Sequence, residues 1–119
     1  MKALIADDSE VMRAVIQREL KVAGYPCEAV EASDGIEALA KLDVSIDIVF
    51  IDWNMPKKNG IEVIKEIRKN GNTVPIIMIS MERTEEGINE ALREGASGYI
   101  VKPFTAEKIK EKLMTILNS

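Results

Sequence analysis

The sequence predicts an α/β protein built on a doubly wound, five-stranded parallel sheet with five helices on its two faces. Three observations carry that prediction. Short apolar runs recur along the chain, and each is followed by a stretch with apolar residues at helical spacing. The alternation is strict, strand then helix five times over, which is the pattern of a parallel sheet covered on both sides. One run, Ile48–Ile51, is apolar without alternation, as a strand buried on both faces should be. Right-handed crossovers then make a doubly wound sheet the economical arrangement.

Residues 3–6 form a short apolar strand that ends at Asp7-Asp8. Ser9 caps a helix in which Val11, Met12, Val15, Ile16, Leu20 and Ala23 repeat at helical spacing up to Gly24. Residues 27–32 make a second strand, and Ser33-Asp34-Gly35 turns into a short helix with Ile36, Leu39 and Leu42 on one face. The central run Ile48–Ile51 is rich in the β-branched and aromatic residues that suit a pleated surface. Asp52 stands where that strand emerges. Pro56 lacks a backbone donor and turns Met55 away from helical angles, so a loop follows Asp52. Asn59-Gly60 opens a third helix carrying Ile61, Ile64 and Ile67, and Asn70-Gly71 stops it. Residues 75–80 are a fourth strand ending on the hydroxyl of Ser80. Residues 84–94 are helical, with Ile88, Ala91 and Leu92 on a stripe that Gly95 closes. Gly98–Val101 is the last strand, Lys102-Pro103 breaks it, and Thr105 caps a final helix bearing Ile109, Leu113 and Ile116.

Composition narrows the chemistry. The 119 residues suit one domain, 1–119, with a core that needs no metal or disulfide staple. Sixteen basic against twenty acidic side chains leave a net charge of −4, which gives no argument for nucleic acid or a membrane as partner. Cys27 is the only cysteine, so no intramolecular disulfide forms and a reducing compartment fits. The start of the chain has no signal-peptide pattern and no stretch is long enough to span a bilayer, so a cytoplasmic protein is expected. Histidine is absent, which excludes a Ser-His-Asp triad, a His-ligated metal and a phosphohistidine carrier.

The candidate site assembles from strand ends. Asp7 and Asp8 end the first strand, Asp52 the third, Ser80 the fourth and Lys102 the fifth. In a doubly wound sheet these ends share one edge, the usual ligand position. Taken singly each has an ordinary reading, as a helix cap, a turn opener or a solvated charge. Together they bring three mutually repelling carboxylates to one place, and a divalent cation relieves that repulsion. An all-oxygen donor set points to Mg²⁺. An ammonium group and a hydroxyl suit the remaining oxygens of a phosphoryl group.

This set resembles the receiver domain of two-component response regulators over the whole chain. The residues that carry the resemblance are Asp7-Asp8, Asp52 with Met55-Pro56 and Gly60, Ser80, and Lys102-Pro103-Phe104. Within the family, Asp52-Trp53-Asn54-Met55-Pro56 and Gly95-Ala96-Ser97-Gly98-Tyr99 are similar to the stand-alone chemotaxis receivers.

The resemblance implies a flavodoxin-like sheet of order 2-1-3-4-5 and a phosphorylation switch rather than a conventional enzyme. Asp52 would accept a phosphoryl group from a histidine kinase and later lose it by the domain's own hydrolysis. Mg²⁺ would be held by Asp8 directly, by Asp7 mostly through water, by Asp52 and by the backbone carbonyl of Asn54. Lys102 would pair with Asp52 or the phosphoryl oxygens, and Ser80 would turn inward and free space that Tyr99 fills. Asn54 and Glu82 would guide or block the hydrolytic water. The face of the fourth helix, last strand and last helix would meet a downstream effector, with the flagellar motor switch as candidate. A monomer and a cis Lys102-Pro103 bond are also implied. The alternative within the family is a non-chemotaxis stand-alone receiver or a phosphorelay intermediate.

Rival classes fit less well. A flavin mononucleotide protein of similar fold would want a Ser/Thr/Gly-rich phosphate loop where two acids stand. An aspartyl phosphatase would cluster its acids after one strand. A nucleotide-binding domain would carry G-x-G-x-x-G or G-K-[ST], and neither occurs.

Overall fold

Parity along each buried strand divides the core between two faces of one sheet. In a computed structural model, which describes residues 1–117, the strands are β1 Lys2–Ala6, β2 Glu28–Ala32, β3 Ile48–Ile51, β4 Ile76–Ser80 and β5 Gly98–Val101. They form a single parallel sheet in the order β2-β1-β3-β4-β5. The helices are α1 Glu10–Val22, α2 Gly35–Lys41, α3 Gly60–Lys69, α4 Glu85–Glu94 and α5 Ala106–Leu117. Successive side chains on a strand point to opposite faces. Accordingly Ala3, Ile5, Ile48, Phe50, Ile77 and Ile79 pack with Ile16 and Leu20 of α1 and Ile109 and Leu113 of α5. Leu4, Ala6, Val49, Ile51, Ile76 and Met78 pack on the other side with Ala38, Ile61, Ile64, Ile67 and Ala91, from α2, α3 and α4. Both layers are needed to bury Ile48–Ile51 completely, which is why that run does not alternate.

The helix starts follow local chemistry. Side chains of Ser9, Asp34, Asn59, Thr84 and Thr105 each accept a backbone N–H from the opening turn of the following helix. At α3, Glu62 also reaches back to the Asn59 N–H and completes a capping box. Gly95 ends α4 at φ +122°, a conformation few side chains tolerate.

Several sequence expectations need correction. Val11, Ile36 and Leu92 lie at the margins of their apolar stripes and are exposed. Lys2 joins the first strand, since pairing with Glu28 continues the ladder one residue earlier. The second and fourth strands begin one residue late, at Glu28 and Ile76; Pro75 contributes only a carbonyl, to the Val49 N–H. No helix among the described residues is long and apolar enough to cross a membrane.

Candidate functional site

The parallel ladder runs one residue past the strands and fixes three site residues by their backbones. The Asp7 N–H bonds the Ala32 carbonyl, that of Asp52 the Ala6 carbonyl, and that of Lys102 the Ser80 carbonyl, at 3.0, 3.0 and 2.8 Å. Their side chains therefore leave the same edge of the sheet from β1, β3 and β5. Gly60 completes the floor: a Cβ there would lie 2.3 Å from the Asp52 carbonyl oxygen, so α3 can start this close only with glycine.

Lys102 sits between two carboxylates. Its Nζ donates to Oδ2 of Asp7 at 2.9 Å and to Oδ2 of Asp52 at 3.0 Å, and all three residues are buried. Burial pulls the ammonium pKa down, but the two carboxylates together outweigh it, and Lys102 titrates above its ordinary range. Asp52 shares that single positive charge with Asp7. Burial, with Asp7's charge added, lifts its carboxyl above the ordinary value despite the bonds from Lys102 and the Trp53 amide. One ammonium against two carboxylates leaves the pocket net negative.

The two acids of the first loop differ. Each oxygen of Asp7 already accepts one hydrogen bond, Oδ1 from the Ser9 N–H at 2.9 Å and Oδ2 from Lys102. Asp8 is exposed, and its carboxylate makes no hydrogen bond or ion pair among the described residues. Carboxylate oxygens of Asp7, Asp8 and Asp52 lie within 4.8 Å of one another. Close-set hard oxygen donors with excess negative charge suit a hard divalent cation, so the donor set fits Mg²⁺.

Ser80 and Tyr99, the expected switch residues, lie beside this cluster. Ser80 is fully buried and its Oγ accepts the Glu82 N–H at 3.3 Å. Tyr99 is buried, and its hydroxyl donates to the Glu82 carbonyl at 2.7 Å. Burial raises the phenol pKa, with nearby Glu82 and Asp52 adding to the effect and Ser80 opposing it.

The water-guiding candidates fare differently. Asn54 is exposed at the mouth, and its side chain makes no hydrogen bond among the described residues. The Glu82 carboxylate instead accepts the Thr84 N–H at 2.9 Å, and those turn amides lower its pKa. The Lys102–Pro103 peptide is cis.

Sequence reasoning missed two supports. The loop after Asp52 is braced by α2: Lys57 ion-pairs with Asp34 at 3.4 Å, and a Cβ on Gly35 would lie 2.2 Å from the Lys58 carbonyl oxygen. The loop after β1 is braced by Arg13, whose Nη1 donates to the Asp7 carbonyl oxygen at 2.7 Å. The one available signal for Arg13 was a cation a single turn into a helix, against the dipole.

Fold and site together define a doubly wound α/β protein whose sheet edge carries an acidic, cation-compatible pocket closed by a lysine. The chain belongs to the response regulator receiver domain family, whose model matches residues 3–114. It is 42% identical to the chemotaxis protein CheY1 of Helicobacter pylori, covering 100% of this chain and 98% of that one. It is 39% identical to the CheY homolog of Campylobacter jejuni, covering 100% and 94% respectively. Among solved structures it resembles CheY in the CheX-CheY-BeF3-Mg complex from Borrelia burgdorferi, with TM-score 0.89 and 31% identity over 98% of this chain and 89% of that one. Vibrio cholerae CheY4 superposes with TM-score 0.82 and 36% identity, over 97% of each chain. The chain is thus a response regulator receiver of CheY-like type.

Proposed function

We propose that Asp52 accepts a phosphoryl group from the phosphohistidine of a separate kinase, and that the acyl phosphate switches the α4–β5–α5 face in chemotaxis signalling. The observation that carries this reading is the Asp52 carboxylate, buried at the end of the central strand, 3.0 Å from Lys102 and grouped with Asp7 and Asp8. An Asp52 oxygen attacks phosphorus, a P–O bond forms, the P–N bond to the imidazole breaks, and the nitrogen keeps the electron pair. Hydrolysis later adds water at phosphorus, frees inorganic phosphate and returns the carboxylate.

Asp8, Asp52 and the Asn54 carbonyl would hold Mg²⁺ directly. Asp7, whose oxygens already accept from the Ser9 N–H and Lys102, would act mostly through water. The bound cation supplies charge neutralisation for the transferring group. The protein's own contribution is placement. Lys102, already bridging Asp7 and Asp52, donates to the phosphoryl oxygens as a compact point charge. Ser80 is one residue short of the β4–α4 loop and donates its hydroxyl to the same group. That draws on the Glu82 turn to which Tyr99 is hydrogen-bonded, so the phosphoryl group and β5 are coupled through two residues. The kinase is expected to be of chemotaxis type, and the identity and names of the relatives support that choice over a phosphorelay intermediate.

The test is labelling with phosphoramidate, a small phosphodonor, followed by mass mapping. Wild type should be labelled at Asp52 only when Mg²⁺ is present, and Asp52→Asn should not be labelled. Metal-dependent labelling that persists in Asp52→Asn, with no nearby hydroxyl modified, removes Asp52 as acceptor.

A further inference from the structure

Arg13 is an unexpected neighbour for a cation pocket. It lies one turn into α1, where the helix dipole disfavours positive charge, and its side chain is only 14% exposed. Its guanidinium faces two ways. Nη1 donates to the backbone carbonyl oxygen of Asp7 at 2.7 Å, and Nε donates to Oε1 of Glu31 at 2.9 Å. Glu31 belongs to β2, in register with Ile5 of β1, so the fork is anchored on the neighbouring strand.

The bonded carbonyl belongs to the peptide that joins Asp7 to Asp8. That unit is planar, so fixing the direction of its oxygen fixes the tilt of the whole plane. The tilt sets the direction in which the Asp8 side chain leaves the backbone. Asp7 is independently held by Ala32, Ser9 and Lys102. Among the described residues Asp8 has no side-chain partner, so its aim depends on the backbone beneath it. Glu31 meanwhile offsets the charge that would otherwise repel a cation. We infer that Arg13 is a positioning residue for the cation site, with its fork between Glu31 and the Asp7 carbonyl aiming Asp8 at the metal. The inference rests on the preceding reading of Asp8 as a direct Mg²⁺ ligand.

The sign of the effect distinguishes positioning from charge. A guanidinium acting only through its charge repels Mg²⁺, so its removal should tighten binding. A guanidinium that aims Asp8 should weaken binding when lost, by about tenfold, the usual scale for groups that orient metal ligands. Lysine keeps the charge but has no planar fork with which to hold two oxygens in fixed directions.

Mg²⁺ titrations followed by Trp53 fluorescence, with thermal melts alongside, test the proposal on wild type, Arg13→Ala and Arg13→Lys. The expected result is about tenfold weaker binding in both variants, with melting temperatures that show each is folded at the titration temperature. Should Arg13→Ala fail to fold, Arg13→Lys decides alone. Binding by Arg13→Lys equal to wild type, or tighter binding by Arg13→Ala, overturns the proposal. Failure of wild type itself to bind Mg²⁺ is a different outcome and overturns the cation site on which the proposal stands.

Discussion

At the scale of single residues, the proposed acceptor is held against its own charge. Asp52 is buried beside a second carboxylate and has half a claim on one ammonium, so its carboxyl titrates above the ordinary value. A carboxyl with a raised folded-state pKa contributes stability that is fully present below its unfolded value, about 3.9. That contribution is lost as pH rises through the folded value. Asparagine does not titrate and resembles the protonated acid in shape and hydrogen bonding. Asp52→Asn should therefore melt at a higher temperature than wild type at neutral pH, without divalent cations. The gap should close as pH falls into the carboxylate range. A lower melting temperature for the variant at neutral pH would mean that the bond to Lys102 outweighs burial. A cation bound here, as proposed, would relieve repulsion that folding has already imposed.

At the scale of elements, the loops after β3 and β4 are built differently and should do different work. Asn54 stands at the mouth with a side chain that makes no hydrogen bond among the described residues, while Glu82 is tied back to the Thr84 amide. A side chain that guides water must be free to bond it, so Asn54 is the stronger candidate. After phosphoramidate labelling, Asn54→Met should slow loss of the phosphoryl group about tenfold, whereas Glu82→Leu should change it by a smaller factor. Equal effects, or none, would return both residues to ordinary loop solvation. The sequence made these loops legible as loops, through Pro56 and the helix starts at Asn59-Gly60 and Thr84. What each side chain bonds was not legible. Glu82 meets its own turn, Lys57 meets Asp34 across 23 residues of chain, and Arg13 meets Glu31 on another strand. Pairings of that kind depend on the assembled fold rather than on local pattern. The exposed Val11, Ile36 and Leu92 were misjudged for a related reason, since helical spacing marks a stripe but not its edge.

At the scale of the whole molecule, Lys102 joins the edge strand of the sheet to its centre. It follows β5 directly, yet its ammonium bonds Asp7 beyond β1 and Asp52 beyond β3. Tyr99, three residues earlier on β5, reaches the turn after β4. In the proposed switch, redirecting Lys102 acts on β5, the strand beneath α4 and α5. Under the proposed switch, accepting a phosphoryl group needs positive charge near Asp52, while moving β5 needs that charge at a defined point. Lys102→Arg separates the two, because a planar fork carries the charge but does not reproduce a compact ammonium between two oxygens. The variant should still be labelled by phosphoramidate with Mg²⁺. Its switch should lose the equivalent of one charge-assisted hydrogen bond, about 1.5–3 kcal/mol, or roughly ten- to hundredfold in the equilibrium between the two positions of the face. The chain has two tyrosines, Tyr25 and Tyr99, so fluorotyrosine labelling gives a spectrum simple enough to assign with one Tyr25→Phe control. Wild type should shift its Tyr99 resonance on phosphorylation, and Lys102→Arg should be labelled without that shift. A normal shift in the labelled variant would reduce Lys102 to an electrostatic accessory and assign the coupling to Ser80 alone.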